Sequence, residues 1–119
     1  MQEREVDIAV IGAGTAGLSA WQVARQYHDR VALIEGGEPG TTCARVGCMP
    51  SKLLIAAADS AHQAHTAAGF GIEIGSIGVN GRDVMERVRR QRDAFVENVL
   101  ESMQRIEPEN RLSGHARFE

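Results

Sequence analysis

The feature that most constrains the fold is a glycine-rich turn placed between an apolar run and a helical pattern. Val6 to Ile11 is a short, almost wholly apolar run, which predicts a buried parallel strand. Gly12 to Gly17 then matches the pattern G-x-G-x-x-G, and apolar residues follow at helical spacing. A second apolar run, Val31 to Ile34, ends at Glu35. These features predict a strand, turn, helix and strand with the two strands parallel.

Each glycine of the turn has a separate physical role in such a βαβ unit. Gly12 permits a tight turn, Gly14 lets the backbone approach a pyrophosphate, and Gly17 lets the helix pack close to the strand. The helix N-terminus faces the phosphate charge, and Glu35 accepts hydrogen bonds from ribose hydroxyls. A purely structural glycine turn is the alternative, but the strand and helix on either side favour a dinucleotide. The predicted nucleotide contacts are Gly12, Gly14, Thr15, Ala16, Gly17 and Glu35.

The two cysteines of the chain, Cys43 and Cys48, lie in one short stretch, Gly40 to Lys52. Pro50 favours a first helical turn and precedes an alanine-rich apolar run, so Cys48 is expected at or one residue before a helix N-terminus. Free backbone N–H groups and the helix dipole stabilise a thiolate there, and Lys52 adds a positive charge one turn later. The thiolate is the nucleophile of disulfide exchange, so the stretch predicts a redox pair with one activated sulfur.

A structural disulfide and half of a metal site are the alternatives for this pair. A bridge across so short a loop constrains the unfolded chain little, and zinc or iron–sulfur sites need more ligands than two cysteines. His62 and His65 lie three apart on the helix predicted from Pro50 to Thr66, but no acid or cysteine is placed to complete a site with them. We therefore expect surface histidines and no metal.

The next segment, Ala67 to Gly81, is a glycine-rich loop followed by a long helix. Three isoleucines in the loop are expected to form a short extended piece: Ile72, Ile74 and Ile77. Asn80 has the features of a helix N-cap, and Asp83 three residues later imitates a capping box. The apolar stripe that follows predicts one long helix closed by Pro108.

Four arginines form a basic run on this long helix, and Arg92 interrupts its apolar stripe. The run comprises Arg87, Arg89, Arg90 and Arg92. An anion or nucleic-acid patch is one interpretation. Acidic neighbours and a net charge of −3 favour the other, a solvated face. Partners of this chain are therefore not expected to include nucleic acid.

The last predicted element is a half-buried strand over Leu112 to Phe118, where apolar residues alternate with polar ones or glycine. The expected class is therefore α/β: a Rossmann-like βαβ unit with parallel strands, followed by two long helices and a further strand. These elements do not complete a doubly wound sheet and would leave strand edges open. Residues 1–119 are thus expected to be the N-terminal part of a larger nucleotide-binding domain.

The first residues of the chain and the length of its apolar runs indicate the cellular compartment in which it is expected. The start of the chain, Met1 to Glu5, is acidic and leads into a strand, so it does not predict a signal peptide. No apolar run approaches the ~20 residues that span a bilayer. A reducing cytoplasm is the expected location, and no membrane partner is expected. In that compartment a cysteine pair is more often catalytic than structural.

Taken together, the motifs resemble the flavoprotein pyridine nucleotide-disulfide oxidoreductases. The resemblance is carried by Gly12 to Gly17, Glu35, the pattern Thr-Cys-x-x-Val-Gly-Cys-x-Pro-Ser-Lys over residues 42–52, and Gly114-His115-Ala116. It implies that the dinucleotide is FAD and that the full-length enzyme also uses NAD(P). Cys43 would exchange with a substrate disulfide, and Cys48 would lie against the flavin. Further FAD contacts are implied at Gly36, Thr42, Gly47, Lys52 and Ala116.

Within that family, the Pro-Ser-Lys ending is more similar to dihydrolipoyl dehydrogenase and mercuric reductase than to glutathione reductase, and the dihydrolipoyl dehydrogenase type is the one expected here. The implied substrate is a lipoyl-linked or small-molecule disulfide, and the full-length enzyme is expected to be a homodimer. Alternatives are a mercuric reductase-like or glutathione reductase-like enzyme, or a non-catalytic nucleotide-binding module for the isolated chain. The family's nicotinamide domain and acid–base pair come later in its sequences, so the isolated chain is expected to be inactive. Two positions depart from the family pattern: Thr41 replaces a usual glycine, and Arg45 stands where asparagine is common.

Overall fold

Three parallel strands form the sheet in the computed structural model, which describes residues 3–118. They are β1 (Ile8–Ile11), β2 (Val31–Glu35) and β3 (Arg111–Ser113), in the order β1-β2-β3. Ile8 lies opposite Val31, and Leu33 lies opposite Arg111. The first three residues of β2 are fully buried, as expected for the middle strand of a covered parallel sheet. The predicted α/β class with parallel strands is confirmed.

Within residues 3–118, four α-helices accompany the sheet: α1 (Thr15–Ala24), α2 (Thr42–Arg45), α3 (Cys48–Thr66) and α4 (Gly81–Gln104). Short 3-10 turns follow α3 at Ala67–Phe70 and precede β3 at Pro108–Asn110. α3 and α4 pack against each other as a pair of 19 and 24 residues, which gives the molecule its 68 Å long axis. No helix of the described residues is long and apolar enough to span a membrane.

The core joins the sheet to the far end of α4. Leu33 of β2 is buried with Met103 and Ile106, and with Ala13 of the glycine turn. Val10, Leu18, Trp21 and Val99 pack around this cluster. The C-terminal end of α4 thus covers the sheet close to the start of α1. This contact brings the last part of the long helix beside the predicted nucleotide site.

The start of α4 follows the prediction, with a change in the capping contacts. Asn80 Oδ1 accepts hydrogen bonds from the backbone N–H groups of Arg82 and Asp83, at 3.1 and 3.5 Å. In a capping box the side chain of the third helical residue accepts from the N-cap backbone N–H. Here Asp83 Oδ2 instead accepts from the Asn80 side chain, whose Nδ2 lies 2.7 Å away. The helix ends at Gln104, and Pro108 begins the following 3-10 turn.

Three strand predictions differ from the structure. The isoleucine segment of residues 71–80 forms no strand, because no strand of the described residues lies beside it to supply hydrogen bonds. The last strand stops at Ser113 instead of continuing to Phe118. Its partner β2 ends at Glu35, opposite Ser113, and the Gly114 N–H makes the final contact with the Glu35 carbonyl oxygen at 2.9 Å. β1 begins at Ile8, two residues later than predicted.

The arginine run is only partly a solvated face. Arg89 and Arg90 are exposed, as predicted. Arg87 Nη1 instead donates to the Leu53 carbonyl oxygen of α3 at 3.2 Å, and Arg92 Nη1 donates to the Arg45 carbonyl oxygen of α2 at 3.3 Å. Arg92 interrupts the apolar stripe because it binds the backbone of a neighbouring helix.

Candidate functional site

The geometry of the turn between β1 and α1 requires glycine at two positions, Gly12 and Gly17. Gly12 has φ of +95°, a conformation that side chains disfavour, and its N–H donates to the Ile34 carbonyl oxygen at 2.7 Å. A Cβ on Gly17 would overlap the Gly12 carbonyl oxygen and lie 2.9 Å from its carbonyl carbon. A Cβ on Gly14 would meet no atom within 4 Å. The space over Gly14 is therefore open for a ligand to approach the backbone.

The N-terminus of α1 offers unpaired donors beside that open space. Gly14 is the N-cap and provides no side-chain oxygen, and the first turn contains no acidic residue. The N–H groups of Thr15 and Ala16 lie in this first turn, where an α-helix has no internal acceptors for them. Together with the positive end of the helix dipole, these donors suit a pyrophosphate.

Glu35 connects the end of β2 to the glycine turn. Its Oε2 accepts from the Ala13 N–H at 2.6 Å, and its Oε1 accepts from the Gly37 N–H at 2.7 Å. These bonds, Ala13 first and Gly37 next, hold the pKa of the Glu35 carboxyl below its usual range, although partial burial opposes them. The group stays ionised at neutral pH. Each oxygen keeps acceptor capacity for the ribose hydroxyls predicted to bind there.

The segment after β3 lies against the same end of the sheet. A Cβ on Gly36 would be 2.8 Å from Cγ of the His115 ring, so only glycine lets the imidazole lie over this backbone. The charge of His115 also lowers the pKa of Glu35 slightly. The structure thus brings Gly36 together with His115, the residue directly before Ala116, and Gly36 and Ala116 are both FAD contacts implied by the family resemblance. Ala116 itself is exposed.

Two consecutive helices, α2 and α3, begin within the cysteine stretch. Cys43 lies in α2, a single short helix where the sequence predicted only a loop. Cys48 is the first residue of α3, as predicted from Pro50, and Gly47 is its N-cap. A Cβ on Gly47 would be 3.1 Å from the Thr42 carbonyl oxygen, so the chain turns tightly between the two helices. This turn sets the cysteines side by side.

Both cysteines are free thiols, with Cys43 half-buried and Cys48 exposed. A hydrogen bond between the two side chains raises the pKa of Cys43, and burial and the charge of Cys48 act in the same direction. The Cys48 backbone N–H and the charge of Lys52 oppose that rise. The interaction that raises the pKa of Cys43 places the two cysteine side chains beside each other, as a redox pair requires.

A cavity of about 450 Å³ opens beside Cys43 and is here named the Cys43 pocket. Its walls come from α1 between Thr15 and Gln22 and from α4 between Phe95 and Ser102. Thr41, Ala44 and Met49 complete the lining with Cys43, while Cys48 does not line it. Of the two cysteines, therefore, only Cys43 lines the pocket.

The α2 turn is held by residues that were not among the predicted site residues. Thr41 adopts φ of +59° although it is β-branched, which accounts for the glycine usual at this place in the family. Its Oγ1 accepts from the Ala44 N–H at 3.0 Å and caps α2. Arg45 forms an ion pair with Glu38, and its carbonyl oxygen accepts from Arg92. The interruption of the apolar stripe at Arg92 was the one sequence signal of this contact between α4 and α2.

Comparison with known proteins identifies the family. Residues 6–115 match the model of the family described as pyridine nucleotide-disulphide oxidoreductase. The chain is 34% identical over 107 residues to a dihydrolipoyl dehydrogenase of Chlamydia trachomatis, covering 90% of this chain and 22% of that protein. It is 44% identical over 64 residues to a mercuric reductase of Streptomyces lividans, covering 54% and 14%. A trypanothione reductase of Trypanosoma congolense is 42% identical over 77 residues, covering 56% and 16%.

The chain thus spans about a fifth or less of the length of these curated relatives. The family model nevertheless covers nearly all of the chain. This chain therefore belongs to the pyridine nucleotide-disulphide oxidoreductase family, and the resemblance carried by its motifs is confirmed.

Proposed function

From this family membership, we propose that the chain is the N-terminal part of the FAD-binding domain of a flavoprotein disulfide oxidoreductase of the dihydrolipoyl dehydrogenase type. The observation that carries the proposal is the pairing of Cys43 with Cys48, with only Cys43 open to a pocket. A structural disulfide needs no ligand cavity at one sulfur. A redox pair that serves a substrate on one side and a cofactor on the other does need one.

The residues of the glycine turn fit FAD. Gly14 leaves room for the pyrophosphate, the first turn of α1 supplies donors, and Glu35 is held ionised for the ribose. When bound, FAD would pass electrons between a nicotinamide and the cysteine pair. Lys52 and Gly47 flank Cys48 on α3 and would hold the flavin end of the cofactor. The match to a family that joins pyridine nucleotides to disulfides supports both cofactors.

The cysteine pair would perform thiol–disulfide exchange in two steps. The sulfur of Cys43 attacks one sulfur of the substrate, the substrate S–S bond breaks, and a mixed disulfide forms. The sulfur of Cys48 then attacks the Cys43 sulfur, and the second substrate sulfur leaves. The pair loses two electrons and two protons and becomes a disulfide, and the substrate gains both as a dithiol. The side chain of Cys48, which interacts with the Cys43 thiol, lies beside the proton that Cys43 must lose.

The dihydrolipoyl dehydrogenase type is proposed because the Pro50-Ser51-Lys52 ending matches it and because such enzymes are among the relatives. The partners then are a lipoyl-linked disulfide and a second copy of the full-length enzyme. Ser51 supports the ending structurally, since its Oγ donates to the Gly47 and Cys48 carbonyl oxygens at 3.0 Å. These bonds fix the first turn of α3 below the sulfur.

The test uses the intact protein. The nucleotide released by denaturation is identified, and NADH-dependent reduction of lipoamide is followed by loss of nicotinamide absorbance. FAD release and turnover are expected, and both Cys43→Ser and Cys48→Ser should abolish turnover. Ala58→Ser, on an exposed face of α3, is the matched control and should keep it. Release of NAD in place of FAD, or turnover that survives either cysteine variant, would contradict the proposal.

A further inference from the structure

The backbone of Thr41 is strained, and it lies two positions before Cys43. Within residues 3–118, Thr41 is the one residue other than glycine with a positive φ, and its ψ is 142°. A β-branched side chain is disfavoured in this conformation, because its Cβ crowds the neighbouring backbone. Thr41 is also buried, with 8% of its surface exposed. Contacts around Thr41 must therefore hold it in place against this local strain.

Two oxygens of Thr41 hold the start of α2. The hydroxyl oxygen accepts from the Ala44 N–H at 3.0 Å, and the carbonyl oxygen accepts from the Arg45 N–H at 3.1 Å. Because α2 has only four residues, its own backbone hydrogen bonds do not make it stable by themselves. Ala44 is buried, with 5% of its surface exposed, so loss of the hydroxyl would leave its N–H without a partner. The start of α2 would then shift to satisfy that donor.

A shift of α2 changes the distance between the two cysteines. Cys43 is the second residue of α2, and Cys48 begins α3 directly after Gly47. A Cβ on Gly47 would lie 3.1 Å from the Thr42 carbonyl oxygen and 3.6 Å from the Cys43 Cα. The backbones of the two helix starts are therefore in close contact, and a shift of one moves its cysteine relative to the other.

The last residue of α2 is held by other contacts. The Arg45 carbonyl oxygen accepts from Arg92 of α4, and the Arg45 guanidinium forms an ion pair with Glu38. Neither contact reaches the backbone of residues 42–44. Within residues 3–118, the Thr41 hydroxyl makes the one side-chain hydrogen bond to the backbone of that segment, which carries Cys43.

We infer that Thr41 is a positioning residue for the redox pair, because its hydroxyl keeps Cys43 at the distance from Cys48 that disulfide formation requires. The inference rests on the proposed thiol–disulfide exchange and adds a residue to it. The family pattern has glycine at this position, and glycine has no side chain to make this bond. Loosening of α2 lowers the effective concentration of one thiol at the other, which weakens the disulfide.

The test measures the equilibrium between the pair and a dithiothreitol redox buffer in the intact protein. Reduced dithiothreitol loses two electrons and two protons and closes to its cyclic disulfide, while the Cys43–Cys48 bond opens to two thiols. After an acid quench, the two thiols are alkylated and counted by mass spectrometry of their peptides. Thr41→Val keeps the size and β-branching of threonine but lacks the acceptor. We expect its equilibrium constant for disulfide formation to fall about tenfold, which corresponds to a reduction potential about 30 mV less negative.

Two control variants separate this hydroxyl from other effects. Thr41→Ser keeps a hydroxyl at the same place and should keep the constant within about twofold of wild type. Thr66→Val removes an equivalent hydroxyl, which donates to the His62 carbonyl oxygen at 3.0 Å near the end of α3, and should leave the constant unchanged. If Thr41→Val does not fold, Thr41→Ala takes its place, because it lacks the hydroxyl and adds no bulk. The same fall in the constant is expected.

The outcomes separate the inference from the function beneath it. A wild-type constant in the variant without the hydroxyl, with the pair still forming a disulfide, would overturn the role of Thr41 and leave thiol–disulfide exchange standing. An equal fall in Thr41→Ser or in Thr66→Val would also overturn it, because the loss would not follow this hydroxyl. A wild-type pair that forms no disulfide in oxidised dithiothreitol would refute the proposed exchange itself.

Discussion

Replacing Gly17 by alanine tests how closely α1 packs on the glycine turn. The added Cβ would overlap the Gly12 carbonyl oxygen and lie 2.9 Å from the carbonyl carbon. Both atoms belong to the backbone, so no side-chain rotation relieves the overlap and α1 must move away from β1. Overpacking costs about 1–3 kcal/mol, and ~3 kcal/mol is appropriate for a backbone clash.

The helix propensity of alanine opposes this cost, because alanine stabilises a helix interior by about 1 kcal/mol relative to glycine. The net loss in the free energy of unfolding is therefore ~2 kcal/mol. With a urea dependence of ~2 kcal/mol per molar, the unfolding midpoint should fall by about 1 M. The measurement is urea unfolding of the intact protein without added flavin, followed by circular dichroism.

Gly14→Ala is the matched control, because its Cβ would meet no atom within 4 Å. The loss of a glycine N-cap costs about 1 kcal/mol or less, so the midpoint should move by half as much as in Gly17→Ala or less. The methyl group would instead occupy the space left for the pyrophosphate, and FAD affinity should fall at least about tenfold. Equal losses of stability in the two variants, or wild-type FAD affinity in Gly14→Ala, would refute the separate roles of the glycines.

Three further predictions concern the roles of the two cysteine sulfurs, the ionisation of Glu35 and the hydrogen bond from Arg92 to α2. In the intact protein, Cys43→Ser should show a long-wavelength absorbance band from the Cys48 thiolate beside oxidised flavin, and Cys48→Ser should lack it; the reverse pattern would exchange the two roles. Backbone N–H groups hold the pKa of Glu35 low, so its ionised carboxylate stabilises the folded state. This contribution to the free energy of unfolding is complete above the unfolded-state pKa of about 4.3 and is lost as the pH falls through the folded pKa. Glu35→Gln should therefore flatten the acid limb of a stability–pH curve, and an unchanged limb would contradict this reasoning. Arg92→Ala removes the donor to α2 and should cost about 1 kcal/mol in urea unfolding, while the exposed control Arg89→Ala should stay within about 0.5 kcal/mol of wild type.

Much of the local structure of the proposed nucleotide site was predictable because its determinants are local. The run of Val6 to Ile11, the glycine spacing and the acid after the second strand lie within about thirty residues of each other. Turn chemistry and helix starts depend on neighbours a few positions away, so Pro50 sufficed to place Cys48 at the start of α3. The N-cap at Asn80 was predictable for the same reason.

The disulfide half of the site depends on contacts between distant residues. Gln22 and Asn98 face one pocket although 76 positions separate them (98 − 22), and only the packing of α4 on the sheet brings them together. The sequence alone assigned Arg92 to a solvated face because its acceptor, the Arg45 carbonyl oxygen, lies 47 positions away.

The length of β3 shows the same division between sequence and structure. Its alternating pattern predicted a strand to Phe118, but a strand needs a partner for its backbone hydrogen bonds, and β2 ends opposite Ser113. Periodicity and capping therefore determined which segments form elements and where most of them begin. Tertiary packing alone decided where elements end against one another, and which sulfur meets a pocket, because those features depend on surfaces that the chain brings together only on folding.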